Sequence, residues 1–163
     1  MRILGIDPGL ATIGFGVIDM NGHHIQSLDY GHISTSKNLP NSVRLTQIAI
    51  DLEEICKTWT PDVCAIEELF FSKNVTSAMQ VSEARGVILQ TLNRSGYPII
   101  EYKPQQIKLA VTGDGRASKP QMQKMVALIL KLKEIPKPDD AADALAIALC
   151  HAHTCPALQP QRS

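Results

Sequence analysis

Arg2-Ile3-Leu4-Gly5-Ile6-Asp7-Pro8-Gly9 is the stretch from which the fold is read. Ile3, Leu4 and Ile6 make a continuous apolar run rather than an alternating one, which predicts a strand covered on both faces. Asp7 then sits at the end of a core strand. Asp-Pro-Gly is good turn chemistry in its own right, with Asp opening the turn, Pro presetting φ and Gly accepting a positive φ. A carboxylate at the end of a buried strand is nevertheless costly to desolvate. The other acids of the chain decide whether Asp7 is more than a turn residue.

Beyond Gly9, residues 11–19 alternate small or polar with apolar side chains and read as a second strand. Asn21-Gly22 is a strong hairpin signal, and a third strand is expected from His24 to Ser34. The first helix is expected over Ser42–Trp59. Asn41 is its predicted cap, and Val43, Leu45, Ile48, Leu52, Ile55 and Cys56 recur at helical spacing. Asp62-Val63-Cys64-Ala65-Ile66-Glu67-Glu68-Leu69 opens as another apolar strand and, like the first, ends in acid. Asn74 leads into a helix from about Val75 to Asn93, and Pro98–Tyr102 is a short fifth strand. Three more helices are predicted, over Pro104–Val111, Ser118–Lys133 and Asp139–His151, with a loop at 112–116. Three strands in hairpin order followed by alternating helix and strand give an α/β fold. It is a five-stranded mixed sheet, antiparallel then parallel, with helices on both faces. The expected organisation is one domain over residues 1–155 and a disordered polar tail over 156–163.

At 163 residues, 44% hydrophobic and 20% charged, the chain can bury a substantial core. It has neither a long apolar run nor a basic-apolar leader, so a cytoplasmic protein with no membrane segment is expected. Cys56, Cys64, Cys150 and Cys155 lack zinc-site spacing and read as small core residues. His151 and His153 fall at a helix end expected to fray. Net charge is zero, which argues against binding nucleic acid through bulk charge. Between Lys103 and Lys137, however, eight Lys and Arg stand against Asp114 and Glu134 alone. A neutral chain can thus present one basic face to phosphates.

The final helix carries Asp139, Asp140 and Asp143 at its head, followed by Ala144-Leu145-Ala146-Ile147-Ala148-Leu149. That small, apolar run suits a helix lying close on a sheet, which brings its acidic first turn to the sheet edge. Sites in such sheets gather at the carboxyl ends of strands. Two carboxylates about 4 Å apart repel by roughly 4 kcal/mol at an effective dielectric of 20, so a cluster of them needs protons or cations. Asp7, Glu67, Asp140 and Asp143 are therefore the candidate catalytic acids and metal ligands. Hard cations, Mg²⁺ or Mn²⁺, are the fitting occupants, and two of them suit phosphodiester hydrolysis.

The motifs Leu4-Gly5-Ile6-Asp7-Pro8-Gly9, Gly14-Phe15-Gly16-Val17, Ala65-Ile66-Glu67-Glu68-Leu69-Phe70, Glu83-Ala84-Arg85-Gly86-Val87 and Asp140-Ala141-Ala142-Asp143-Ala144-Leu145-Ala146 span nearly the whole chain. Together they resemble the RuvC family of crossover junction endodeoxyribonucleases, Holliday junction resolvases with a ribonuclease H-like fold. The resemblance implies metal-binding acids at Asp7, Glu67, Asp140 and Asp143, a junction aromatic at Phe70, and basic DNA contacts at Lys108 and Lys119. Lys73, Arg85, Arg94 and Arg116 are further candidate phosphate contacts. It also implies a homodimer matched to a two-fold substrate, four-way junction DNA as that substrate, a branch-migration helicase complex as a partner, and a role in recombination and repair. Asp114 departs from the family pattern, because a carboxylate in the Gly-rich loop would repel phosphate. Two other readings are an actin-like nucleotide phosphotransferase, for which one domain is too short, and an inactive junction-binding module, which would be expected to lose an acid.

Overall fold

The computed structural model describes residues 1–69 and 75–155, apart from the side chains of residues 75–77. Phe70, Lys73, the predicted helix cap Asn74 and the tail 156–163 lie outside the described residues. The elements are β1 (Arg2–Asp7), β2 (Thr12–Asn21), β3 (His24–Ser34), α1 (Asn41–Trp59), β4 (Val63–Glu67), α2 (Val75–Arg94), β5 (Ile99–Tyr102), α3 (Pro104–Thr112), α4 (Lys119–Ile129) and α5 (Asp139–Thr154). They form one five-stranded sheet in the order β3-β2-β1-β4-β5. β1, β2 and β3 pair antiparallel, whereas β1–β4 and β4–β5 are parallel.

β1 is central because its residues are apolar toward both sides. Ile3 belongs to the core beneath α3, α4 and α5, while Leu4 and Ile6 belong to the core beneath α1 and α2. Side chains alternate along a strand, so Asp7 shares the face of Ile3 and Gly5. The same parity in β4 puts Glu67 on the face of Val63 and Ala65, again toward α5. α5 lies unusually close to this face. A Cβ on Gly5 would stand 2.1 Å from the Ala144 carbonyl oxygen, and one on Gly14 would stand 1.9 Å from that of Asp140. Gly14 is also the cross-strand partner of Asp7. The glycine that admits the helix thus sets its acidic first turn beside the acid at the end of β1.

Several local expectations are corrected. The hairpin loop is Gly22-His23, one residue later than Asn21-Gly22, with Gly22 taking φ +61°. Pro40, not Asn41, precedes α1, and no side chain caps that helix. Asn41 instead donates from Nδ2 to Glu83 Oε2 at 2.6 Å, tying α1 to α2. Val43 is 45% exposed, and its neighbour Arg44 is buried, its Nε donating to Thr35 Oγ1 at 3.0 Å. α4 stops at Ile129 rather than Lys133. Lys131 adopts φ +52° and the Leu132 amide reaches back to the Ala127 carbonyl at 2.9 Å, a helix-ending closure made here without glycine. α5 does not fray at His151 but continues to Thr154, because buried His151 lies 2.8 Å from the Tyr102 hydroxyl through Nδ1. Cys56, Cys64 and Cys150 are buried and Cys155 is half-buried. No helix of the described residues is long and apolar enough to cross a membrane.

Candidate active site

Three elements bring the predicted acids together at one end of the sheet. Asp7 ends β1, Glu67 ends β4, and Asp140 and Asp143 occupy the start of α5. Acids at a helix start often serve as caps. Here Pro138 is the N-cap and no side-chain capping bond is made, so these carboxylates are not spent on helix amides. One carboxylate oxygen from each of Asp7, Asp140 and Asp143 lies within 4.8 Å of the others. Among the described residues this is the one group of His, Cys, Asp or Glu gathered closely enough to hold a metal ion. Glu67 stands outside that triplet but lines the same cleft, of about 260 Å³, with Asp7, Asp143, Lys108, Lys119 and Met122.

Local sequence places the two lysines. Pro104 starts α3, and Gln106 returns its Oε1 to the Lys103 amide at 2.9 Å, which orients the turn leading to Lys108. Ser118 caps α4 in a reciprocal box with Gln121, so Lys119 is fixed at the first helical position. Its Nζ lies 2.8 Å from Asp143 Oδ2 and 3.6 Å from Asp139 Oδ2. The family resemblance implies a DNA contact at Lys119; the ion pair with Asp143 is not foreseen from the sequence. The capping box Ser118-Lys119-Pro120-Gln121 was the available signal for the lysine's fixed position.

The electrostatics are those of a site with more negative charge than its own cations can offset. Burial, followed by the neighbouring Asp143, Glu67 and Asp140, pushes the Asp7 carboxyl up to about 8. Glu67 is raised by burial and then by Asp143, with Lys108 and Lys119 opposing. Asp143 is raised chiefly by burial against the pull of Lys119. For Lys119 burial acts downward, but the hydrogen bond and charge of Asp143 outweigh it and the ammonium is held above its ordinary value. Clustered carboxylates with only oxygen donors fit a hard divalent cation, which would relieve this repulsion.

The other candidates are dispersed. Arg85 pairs with Glu101 and points its Nε at the Glu67 carbonyl, 3.4 Å away, so it braces the strand end carrying Glu67. Arg116 is exposed in the loop before α4. Asp114 turns its carboxylate into that loop, where Oδ1 accepts the Arg116 amide at 2.8 Å. Glu68 extends the β4–β5 ladder through its amide, which donates to the Tyr102 carbonyl at 2.8 Å.

The same arrangement of chain is found in known proteins. The family model for crossover junction endodeoxyribonuclease RuvC matches residues 3–151. A RuvC from Chloroflexus aurantiacus is 52% identical over 159 residues, 98% of this chain and 97% of the relative. The Thermus thermophilus RuvC structure superposes with TM-score 0.86 at 37% identity, covering 94% of each chain. The same organism's RuvC in complex with Holliday junction substrate gives TM-score 0.89 at 38% identity, covering 94% of this chain and 93% of that one. The mixed sheet is thus the ribonuclease H-like fold, and the match of sequence and fold leads to one conclusion: the chain belongs to the RuvC family of crossover junction endodeoxyribonucleases.

Proposed function

We propose that this chain is a structure-selective endonuclease that resolves four-way DNA junctions by paired, symmetric nicks, in homologous recombination and DNA repair. The observation that carries the reading is the Asp7, Asp140 and Asp143 triplet, of which Asp7 and Asp143 line a cleft with Glu67, Lys108 and Lys119. The four acids are the proposed holders of two Mg²⁺ ions, with Mn²⁺ as a substitute. Such cations supply charge stabilisation for the phosphoryl oxygens and a water of lowered pKa.

The protein's own groups do the remainder. Asp7, at the cross-strand partner of Gly14, is held rigidly by the sheet, so the acceptor oxygens need little reorganisation when substrate arrives. Lys108 and Lys119 on the cleft wall offset phosphate charge and hold the scissile group against the acids. Water attacks phosphorus and gives up a proton to an active-site carboxylate or to solvent, as the bond to the leaving 3′ oxygen breaks and that oxygen takes up a proton from solvent to leave as a hydroxyl. Lys119 can serve a phosphate only by sharing or releasing Asp143, which makes it both a DNA contact and the lysine that screens the acid cluster. Arg116 is a proposed phosphate contact from its exposed loop. Arg85 reaches DNA only by leaving Glu101, so its proposed role is mainly to position Glu67. Phe70 and Lys73, beyond the end of β4, remain proposed junction contacts from the family resemblance.

A substrate with two-fold symmetry calls for two such sites, hence a homodimer, and residues 1–155 are proposed as its single nuclease domain. A branch-migration helicase complex is the proposed partner and the cytoplasm, where such DNA is processed, the proposed location. The test incubates protein with Mg²⁺ and labelled four-way junction, linear duplex and ATP in parallel. Paired nicks confined to the junction are expected. Equal cutting of linear duplex, or ATP turnover without nicking, would overturn the reading.

A further inference from the structure

Away from the cleft, a second groove of about 470 Å³ runs between β3 and α1. Its acids are Asp29, Asp51 and Glu54, and Phe15, Ile55 and Trp59 supply apolar and aromatic surface. Among the described residues no Lys or Arg lines it, and His32 is its one basic side chain. Among the described residues none of the three acids forms an ion pair, whereas Glu53, next along α1, is paired with Arg94. The Trp59 indole is fixed in place, its Nε1 donating to Asp29 Oδ2 at 3.1 Å. The groove also borders β3, an eleven-residue strand at the edge of the sheet whose one sheet neighbour among the described residues is β2.

Each feature narrows the occupant. Three carboxylates without cations repel nucleic acid, so this face is not a continuation of the DNA path. A half-buried aromatic beside aliphatic surface takes an apolar side chain, and the acids around it take lysine or arginine. A strand edge accepts an extended backbone, whose alternate side chains fall on one face. We propose that the β3–α1 groove docks an extended segment of another protein in which an apolar residue is flanked, two positions either side, by basic ones.

Trp59 is the chain's one tryptophan, so its emission reports on the groove directly. The probe is a short peptide with the pattern Arg-Thr-Leu-Thr-Lys between serines, compared with its charge-reversed form Glu-Thr-Leu-Thr-Glu and with spermidine. The basic peptide should shift Trp59 emission saturably, with a Kd of ~10–100 μM typical of a small, weak interface. The double variant Asp51→Lys, Glu54→Lys should weaken it at least tenfold while junction nicking stays unchanged, which also shows the variant to be folded. No saturable shift up to ~1 mM would overturn the proposal. So would equal binding of the charge-reversed peptide, equal binding by the double variant, or an equal response to spermidine, which would mark a polyamine site. An emission change that follows protein concentration without peptide would assign the groove to a second copy of this chain instead.

Discussion

The active-site acids and those of the β3–α1 groove are both clusters of carboxylates, yet the chain treats them in opposite ways. In the groove, Asp29 accepts the Trp59 indole and the Tyr30 amide at 2.9 Å, and Asp51 accepts Gln47 Nε2 at 2.6 Å. At the active site, Asp7, Asp140 and Asp143 crowd within 4.8 Å, and Lys119 on Asp143 is the one cation paired with them among the described residues. Charge alone therefore does not make a metal site. Burial and the withholding of hydrogen-bond donors do, because they leave a cation as the favourable means of satisfying the carboxylates.

Neutralising one acid in each place tests that contrast most severely. Asp7→Asn keeps the volume but removes a charge and a ligand oxygen, and should abolish junction nicking while junction binding is retained. The same substitution at Asp51 should leave nicking unchanged. Stability should separate the two in the other direction. With Asp7 raised from 3.8 to about 8, the metal-free folded state holds a proton that the unfolded chain has released across this interval. Folded stability therefore falls as pH rises from about 4 to about 8, and the loss is complete above the folded value. Asp7→Asn removes the penalty. Without metal at pH 8 it should melt several degrees higher than the native protein, since ~1 kcal/mol moves Tm by about 2–4 °C at this size. At pH 4 the two should nearly coincide. Asp51→Asn should change neither value by more than about 0.5 kcal/mol. A lower melting temperature for Asp7→Asn at pH 8 would show that the Asp7 carboxylate is already satisfied within the protein, without a cation.

The next effect falls on the frame that builds the cleft. Gly14→Ala places a methyl 1.9 Å from the Asp140 carbonyl oxygen, so the backbone of α5 must shift. Overpacking of this kind costs about 1–3 kcal/mol. Nicking should fall by at least ~10-fold even at temperatures where the variant is fully folded, because Asp140 moves relative to Asp7. Gly31→Ala, near the β3–α1 groove, meets only the Phe15 ring at 3.1 Å and should be milder on both measures.

These contrasts also show what could be read from sequence. The cleft was legible because strand parity is strict. An apolar run ending in Asp7 and another ending in Glu67 put each acid at the end of a buried strand, and Ala144, Ala146 and Ala148 announce a helix that lies close. The assignment of roles was less legible. Whether Asn41 caps α1 or reaches Glu83 depends on where α2 lies, as does the inversion in which Val43 is exposed and Arg44 buried. The end of α4 at Ile129 has no glycine after it to mark it, since Lys131 takes the positive φ. His151 read as part of a fraying end because its partner Tyr102 is 49 residues away. The β3–α1 groove left no motif at all, because Asp29, Asp51 and Glu54 sit among ordinary strand and helix residues, with no apolar run ending in acid to mark them.

The smallest expected effect concerns Lys119, which belongs to both the acid cluster and the proposed DNA path. Removing one phosphate-binding cation should reduce the slope of log affinity against log salt by about one. Lys119→Ala should therefore flatten that slope by about one and weaken junction binding by a similar factor for any sequence. Because Lys119 also holds Asp143 down, its removal leaves the cluster more negative. The divalent cation concentration for half-maximal nicking should then fall even as junction affinity falls. Asp140→Asn should reverse the pattern, with the salt slope nearly unchanged and more cation required. A groove variant such as Glu54→Gln should move neither quantity. If Lys119→Ala lowered the cation requirement but left the salt slope untouched, the lysine would belong to the acid cluster alone, and Lys108 and Arg116 would have to carry the phosphate.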